Sequence, residues 1–139
     1  MTLRIAGVTD SLSRIREFVL SFAKEQGFSD DKLGEIEMAV DEAATNVIRH
    51  SYAEDPEIPD NNRVLEIEVK GIEKGMEVAV SDFGKAFNPV GVPLPDLEKH
   101  ATSLKTHGLG IFSMKVFMDE MAHEFVPGIG NKIIMRKFL

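Results

Sequence analysis

Cysteine is absent from the 139 residues, which excludes a disulfide framework, a thiolate nucleophile and a cysteine-ligated zinc site. Basic residues are in deficit. Lys and Arg total 16 against 23 Asp and Glu, a formal charge of −7, so phosphate-rich nucleic acid and anionic membranes would be repelled. A basic or charge-patched protein partner suits that balance. No stretch approaches the roughly 18 apolar residues of a bilayer-spanning helix. Met1 to Gly7 lacks the positive and apolar regions of a secretory leader, and the chain is expected to be cytoplasmic. A Gly-x-Ser-x-Gly elbow and a Walker phosphate loop are also missing, which argues against a serine-hydrolase triad and an ordinary phosphate-loop NTPase.

What remains is an ordinary globular composition, 43% hydrophobic and 28% charged. At about one domain's length, such a chain buries roughly two-thirds of its unfolded surface, so a single domain over 1–139 is expected. Thr2 to Ile5 alternates briefly as a strand. Thr9, Asp10 and Ser11 then offer N-cap side chains to a helix carrying Leu12, Ile15, Phe18, Val19 and Phe22, which Gly27 ends. Ser29, Asp30 and Asp31 start a second helix that runs to about His50, with an apolar stripe of Leu33, Ile36, Val40, Ala43 and Val47.

Ser51 to Asn62, with its prolines, acids and asparagines, predicts an exposed loop. Leu65 to Lys70 and Met76 to Val80 alternate as two strands about a turn at Gly71 to Gly75, an antiparallel hairpin with one buried face. Asn88 to Thr106 reads as a long connection with a short helical option at Pro95 to Ala101, and long connections in compact domains are often functional lids. A helix over Leu109 to Asp119, carrying Leu109, Phe112, Val116 and Phe117, is followed by strands at His123 to Val126 and Lys132 to Phe138 around Pro127-Gly128-Ile129-Gly130. The order predicts an α+β two-layer sandwich, with helices on one face of a mixed, mostly antiparallel sheet.

Chemistry concentrates at three places. Glu42 and Asn46 are four apart on the second helix, with His50 a further turn along. Such a row is ordinarily a solvated helix face, but a glutamate can also take a hydroxyl proton and an amide oxygen can ligate Mg²⁺. Asp82 follows the second hairpin strand and by alternation points to the face of Val78 and Val80. It either starts a turn or, buried, needs a hydrogen-bond donor such as the amine of adenine, while repelling the carbonyl guanine carries there. Asp82-Phe83-Gly84 also spells the magnesium motif of eukaryotic protein kinases, but no Gly-rich loop, Val-Ala-Ile-Lys or His-Arg-Asp accompanies it. Gly108-Leu109-Gly110 opens a helix behind Lys105, Thr106 and His107, a turn suited either to plain helix entry or to phosphate. His100 and His123 make no metal-ligand spacing with His50 or His107, so only surface or partly buried structural roles are expected of them.

In order and spacing, Glu42-x-x-x-Asn46, Asp82-x-Gly84-x-x-Phe87-x-Pro89 and Gly108-x-Gly110 resemble the N, G1 and G2 boxes of GHKL ATPases. Asp41 to Tyr52, Phe87-Asn88-Pro89, Gly108 to Phe112, Met118-Asp119-Glu120 and Gly130-Asn131 look most like the anti-sigma factor serine/threonine-protein kinases of the RsbW and SpoIIAB type. The resemblance covers nearly the whole chain and implies the Bergerat ATP-binding fold.

It further implies a kinase that phosphorylates a serine on an anti-anti-sigma (STAS-type) partner and sequesters a sigma factor. On that resemblance Glu42 is the general base, Asn46 holds Mg²⁺, Asp82 meets the adenine amine and Gly84 lets the base approach. His50 and Phe87 belong to the ATP site, and Lys105, Thr106, His107, Gly108, Leu109 and Gly110 to its phosphate end. Ala86 stands where many members have a second glycine or a similarly small turn residue, and Asn88 where aspartate is frequent. A lid at Val90 to His107 without arginine would leave transition-state charge to Lys105, the helix N-terminus and the metal. Homodimerisation is a family expectation, which an apolar patch on the first helix would support. The competing readings are a non-catalytic ATP-binding module that controls a partner by binding alone, and a histidine-kinase fragment. The latter is weakened by the missing dimerisation helix and phosphoacceptor box.

Overall fold

Alternation and helical periodicity resolve, in a computed structural model that describes residues 1–53, 55–84, 114–126 and 130–139, into helices against one face of a sheet. The strands are β1 (Thr2–Ala6), β2 (Val64–Ile72), β3 (Gly75–Ser81), β4 (Glu120–Val126) and β5 (Gly130–Phe138). Their order across the sheet is β1-β2-β3-β5-β4, and all four pairings are antiparallel. The terminal hairpin thus lays its second strand against the central β3. Helices α1 (Leu12–Gln26) and α2 (Asp30–Asn46) pack on each other and on the sheet. None of the described helices is long and apolar enough to cross a membrane.

The period-2 and period-3.6 patterns meet in one core. Leu65, Ile67, Val69, Met76, Val78, Val80, Ile133 and Met135 line the inner sheet face, and Ile15, Val19, Ile36, Val40 and Ala43 press on them from the helices. Each large aliphatic side chain buried there contributes about 1.5–3 kcal/mol. Ser29 caps α2, its Oγ accepting from Lys32 N at 3.4 Å, with Asp30 and Asp31 in the first turn where the helix dipole favours them. Gly27 ends α1 at φ +93°, in the left-handed region.

Several expectations are corrected. Ser11 makes no capping side-chain bond, because a 3-10 turn at Thr9–Ser11 leads into α1 instead. On the first helix Leu12, Phe18, Leu20 and Phe22 are partly buried against the core. The second helix does not run as α-helix to His50. From Val47–Tyr52 it widens into a π-helix, closed by Ala53 N donating to Ile48 O at 3.0 Å. Five-residue spacing brings Val47 and Tyr52 to one side, and both are buried. The predicted loop therefore begins only after Tyr52.

The hairpin turn narrows to Glu73 and Lys74, with Ile72 paired to Gly75, and Lys74 takes the left-handed φ of +62°. The outer face of β3 is covered too. Glu77 is only 7% exposed beneath Lys70 and Arg136, whose Nζ and Nε lie 2.9 Å from its carboxylate. Burial raises the Glu77 pKa, but those hydrogen bonds outweigh it and leave the carboxyl below its usual value.

The last two strands begin earlier than predicted, because pairing of Glu120 with Arg136 and of Val126 with Gly130 extends the ladder at both ends. Within the predicted helix at Leu109 to Asp119, residues 114–117 are helical, and the buried pair is Met114 and Met118 rather than Val116, which is 53% exposed. Leu109, Phe112, Pro95 to Ala101 and the lid lie outside the described residues.

Tyr52 is the fastening between layers. Its hydroxyl donates to Val64 O at 2.7 Å and accepts from Phe83 N at 2.9 Å, while burial pushes its pKa up to about 12. Gly7 makes room, since a Cβ there would sit 2.6 Å from the ring. Tyr52→Phe removes the hydroxyl from both partners and is expected to cost about 1–3 kcal/mol. In urea unfolding the midpoint should fall with the slope unchanged; an unmoved midpoint would show that the hydroxyl is not a fastening.

Candidate functional site

The sheet side of the site begins where β3 ends. Alternation carries Asp82 inward after Val78 and Val80, and it is 5% exposed. Its backbone continues the ladder to β5, with Asp82 N donating to Asn131 O at 2.8 Å and Asn131 N donating to Asp82 O at 3.1 Å. The carboxylate Oδ1 accepts from Gly84 N at 2.9 Å and from Asn131 Nδ2 at 3.2 Å. Both readings of Asp82 thus hold together: it starts an Asx turn and it is a buried acceptor. Among the described residues both donors to the Asp82 side chain meet Oδ1. Burial raises the Asp82 pKa, against the lowering influence of the Gly84 and Asn131 bonds and of His123.

Two glycines make this approach sterically feasible. Gly130 adopts φ +147°, and a Cβ there would collide with the Asp82 backbone oxygen and Phe83. At Gly84 an added Cβ would meet Asp82 Oδ1, Ile58 and Tyr52 at 3.4–3.5 Å, filling space beside the carboxylate. The π-turn reaches the same corner through Tyr52, whose hydroxyl holds Phe83 N.

The helix side carries Glu42 and Asn46 near the end of α2. Glu42 is partly buried, and its pKa is raised by burial and by Asp41, with Arg49 lowering it. A carboxylate poised this way is a better proton acceptor than a fully solvated one. Among the described residues, Asn46 Nδ2 is the buried side-chain atom without a hydrogen-bond partner. Leaving such an amide unmatched costs about 1–3 kcal/mol, which fits a side chain completed by something the chain itself does not supply. Rotation of the amide exchanges nitrogen and oxygen, and its oxygen is a hard donor of the kind Mg²⁺ takes. His50 is partly buried in the π-turn, so it is not one regular α-turn beyond Asn46.

Phe87, Lys105, Thr106, His107, Gly108, Leu109 and Gly110 lie outside the described residues. The strand residues that sequence reasoning passed over are the surprise. His123, given only a structural role, has Nε2 3.0 Å from Asn131 Oδ1. Alternation along Met121, His123 and Phe125 is the one signal that could have turned it inward. Among the described residues no group of three or more His, Cys, Asp or Glu could hold a metal ion.

Residues 6–137 match the histidine kinase-like ATPase domain. The chain belongs to that family. An anti-sigma F factor of Clostridium acetobutylicum is 31% identical over 140 residues, spanning 99% of this chain and 92% of that protein. The serine-protein kinase RsbW of Bacillus subtilis is 28% identical over 142 residues, 99% of this chain and 84% of the relative. The fold of this ATPase domain is shared with solved structures. A chain of the SiaB–SiaC complex of Pseudomonas aeruginosa superposes with a TM-score of 0.69 at 10% identity, over 100% of this chain and 88% of that one. The RsbU and RsbW domains of a Mycobacterium tuberculosis protein give 0.64 at 16%, over 100% and 32%.

The raised pKa of Asp82 has a thermodynamic sign. A carboxyl with a folded pKa above its unfolded value contributes stability below the unfolded pKa and loses it as pH rises through the folded one. Asp82→Asn should therefore be more stable than the wild type at neutral pH. That advantage should shrink as pH falls toward the ordinary carboxyl value of 3.8. Thermal unfolding of both proteins across that range checks it; an advantage that stays constant with pH would contradict the buried-carboxylate account.

Proposed function

We propose that the chain is a Mg·ATP-dependent protein-serine kinase and anti-sigma factor, acting on a serine of a STAS-type anti-anti-sigma partner and sequestering a sigma factor. The observation that carries this reading is the pairing on one helix of Glu42, a carboxylate of raised pKa, with Asn46, an amide lacking a protein partner. The family supports ATP as the nucleotide, and relatives named as serine kinase and anti-sigma factor support the two partners. The net charge of −7 suits protein partners better than nucleic acid or membrane. The proposal takes 1–139 as one ATPase domain working in the cytoplasm, with homodimerisation as the family expectation.

In this reading Asp82 accepts the adenine amine while Gly84 leaves space for the base. Asn46 would hold the metal. Bound Mg·ATP supplies the phosphoryl group and a metal that neutralises phosphate charge. Glu42 would accept the proton of the partner's serine hydroxyl as its oxygen bonds to the γ-phosphorus and ADP leaves, and the helix holds base and metal ligand four residues apart. Phe87 and His50 complete the nucleotide's surroundings, and Lys105 to Gly110 its phosphate end.

Glu42→Gln separates catalysis from binding. Transfer of labelled phosphate to a STAS-type partner should fall by at least about 100-fold while ATP affinity stays unchanged. Because the base must be ionised, wild-type transfer should rise with pH through the Glu42 pKa, which lies above 4.5. Partner binding without any transfer by the wild type would replace the kinase with a module that acts by binding alone.

A further inference from the structure

The segment between the π-turn and β2 reads in sequence as an exposed loop, yet two of its side chains turn inward: Asp55 is 9% exposed and Ile58 is 8% exposed. Local hydrogen bonds build that turn. Asp55 Oδ1 accepts from Glu57 N at 3.0 Å, Asp55 O accepts from Ile58 N at 3.4 Å, and Arg63 Nε donates to Ile58 O at 3.1 Å. The rest of the Arg63 guanidinium donates to Tyr52 O and Asp55 O, so one side chain ties the start and middle of the loop to its end. Ile58 is thereby aimed at a particular place. The point a Cβ would occupy on Gly84 is 3.4 Å from Ile58 Cδ1, 3.4 Å from Asp82 Oδ1 and 3.5 Å from the Tyr52 ring. An aliphatic methyl, a buried carboxylate and an aromatic edge thus border one space left open by the missing Gly84 side chain.

We infer that Ile58 is a specificity-determining residue of the nucleotide site: its Cδ1 methyl closes the space beside Gly84 and Asp82, so that a nucleobase must present a bare amino group there. The inference rests on the nucleotide-site reading above and extends it to a loop outside the three sequence boxes that carry that reading. A carboxylate by itself accepts the one N–H of an alkylated amine as readily as one of the two N–H groups of adenine. Shape has to make the distinction that the acid cannot, and an aliphatic wall makes it by exclusion. The same methyl helps to keep water from Asp82, and an acceptor in dry surroundings rewards a matching donor more than a solvated one does. A buried isoleucine ordinarily serves packing. This one is set apart by its position, across from the oxygen of a buried acid over a space wide enough for a single carbon.

The test measures affinity for Mg·ATP and for Mg·ATP methylated on the adenine N6 amine, by calorimetry on the full chain, for the wild type and Ile58→Val. Valine deletes the Cδ1 methyl and keeps the rest of the branch, so the protein loses the carbon that the ligand gains. The wild type should prefer ATP. Ile58→Val should lower the ratio of ATP affinity to methylated-ATP affinity by about tenfold, the reach of one carbon in an apolar pocket. A merely structural role for Ile58 would weaken both nucleotides together and leave the ratio where it was, and that result overturns the inference, as does a wild type that binds both equally. A wild type that binds neither removes the nucleotide-site reading and this one with it. Should Ile58→Val fail to fold, the wild type labelled with carbon-13 at the Ile58 δ1 methyl decides. A nuclear Overhauser contact between that methyl and an adenine ring proton is expected in the ATP complex, and its absence overturns the inference.

Discussion

A carboxylate placed on the apolar face of a sheet is tolerable only where donors are brought to it, and Asp82 imposes that requirement on every strand near it. The end of β3 bends into an Asx turn so that Gly84 N can reach Oδ1. β5 comes alongside with Asn131 in register, and Gly130 lacks the side chain that would keep the strands apart. β4 then adds His123 behind Asn131. Two segments distant in sequence, the end of β3 and the start of β5, thus meet at one buried oxygen. In the proposed nucleotide site, the burial that makes the group costly would also make it selective, since a desolvated acceptor discriminates strongly between a donor and another acceptor.

The helical layer answers the same corner from the other side. A regular α-helix continued past Asn46 would separate Val47 from Tyr52 around the axis. The π-turn brings both inward and carries the Tyr52 hydroxyl to the backbone between the hairpin and the Asx turn. Arg63 supports this arrangement by donating to the carbonyl oxygens of Tyr52, Asp55 and Ile58. In the proposed reading stability and function are opposed at Asp82 and Asn46, while Tyr52 serves the frame. The buried side-chain atom without a partner among the described residues, Asn46 Nδ2, lies where the proposed ligand would sit, and well-matched groups such as Tyr52 hold the frame around it.

Elements with strong periodicity were readable from residues alone: the stripe from Leu33 to Val47, the alternation of Leu65 to Val69, and the inward turn of Asp82. Gly27 as a helix stop was readable because only one backbone conformation explains it. The π-turn was not, because five-residue hydrogen bonding leaves no distinct spacing of residue types over six positions. Nor was the outer cover of β3, since Glu77 reads as exposed until the lateral pairing with Arg136 is known. His123 and Asn131 were hidden for a related reason. Each has an ordinary strand environment in its own segment, and their meaning arises only from register between β3, β4 and β5.

The strand order has a consequence for how the molecule comes into being. β5 is translated after the other four strands, yet its place is inside the sheet, between β3 and the edge strand β4. Until it emerges from the ribosome, β3 presents an open edge and Asp82 lacks Asn131. The helices and the β1-β2-β3 meander can assemble first, but the sheet is completed by a long-range pairing, the slow kind of step in folding. A message broken before β5 thus encodes a protein whose sheet is unfinished and whose buried acid lacks its donor from Asn131.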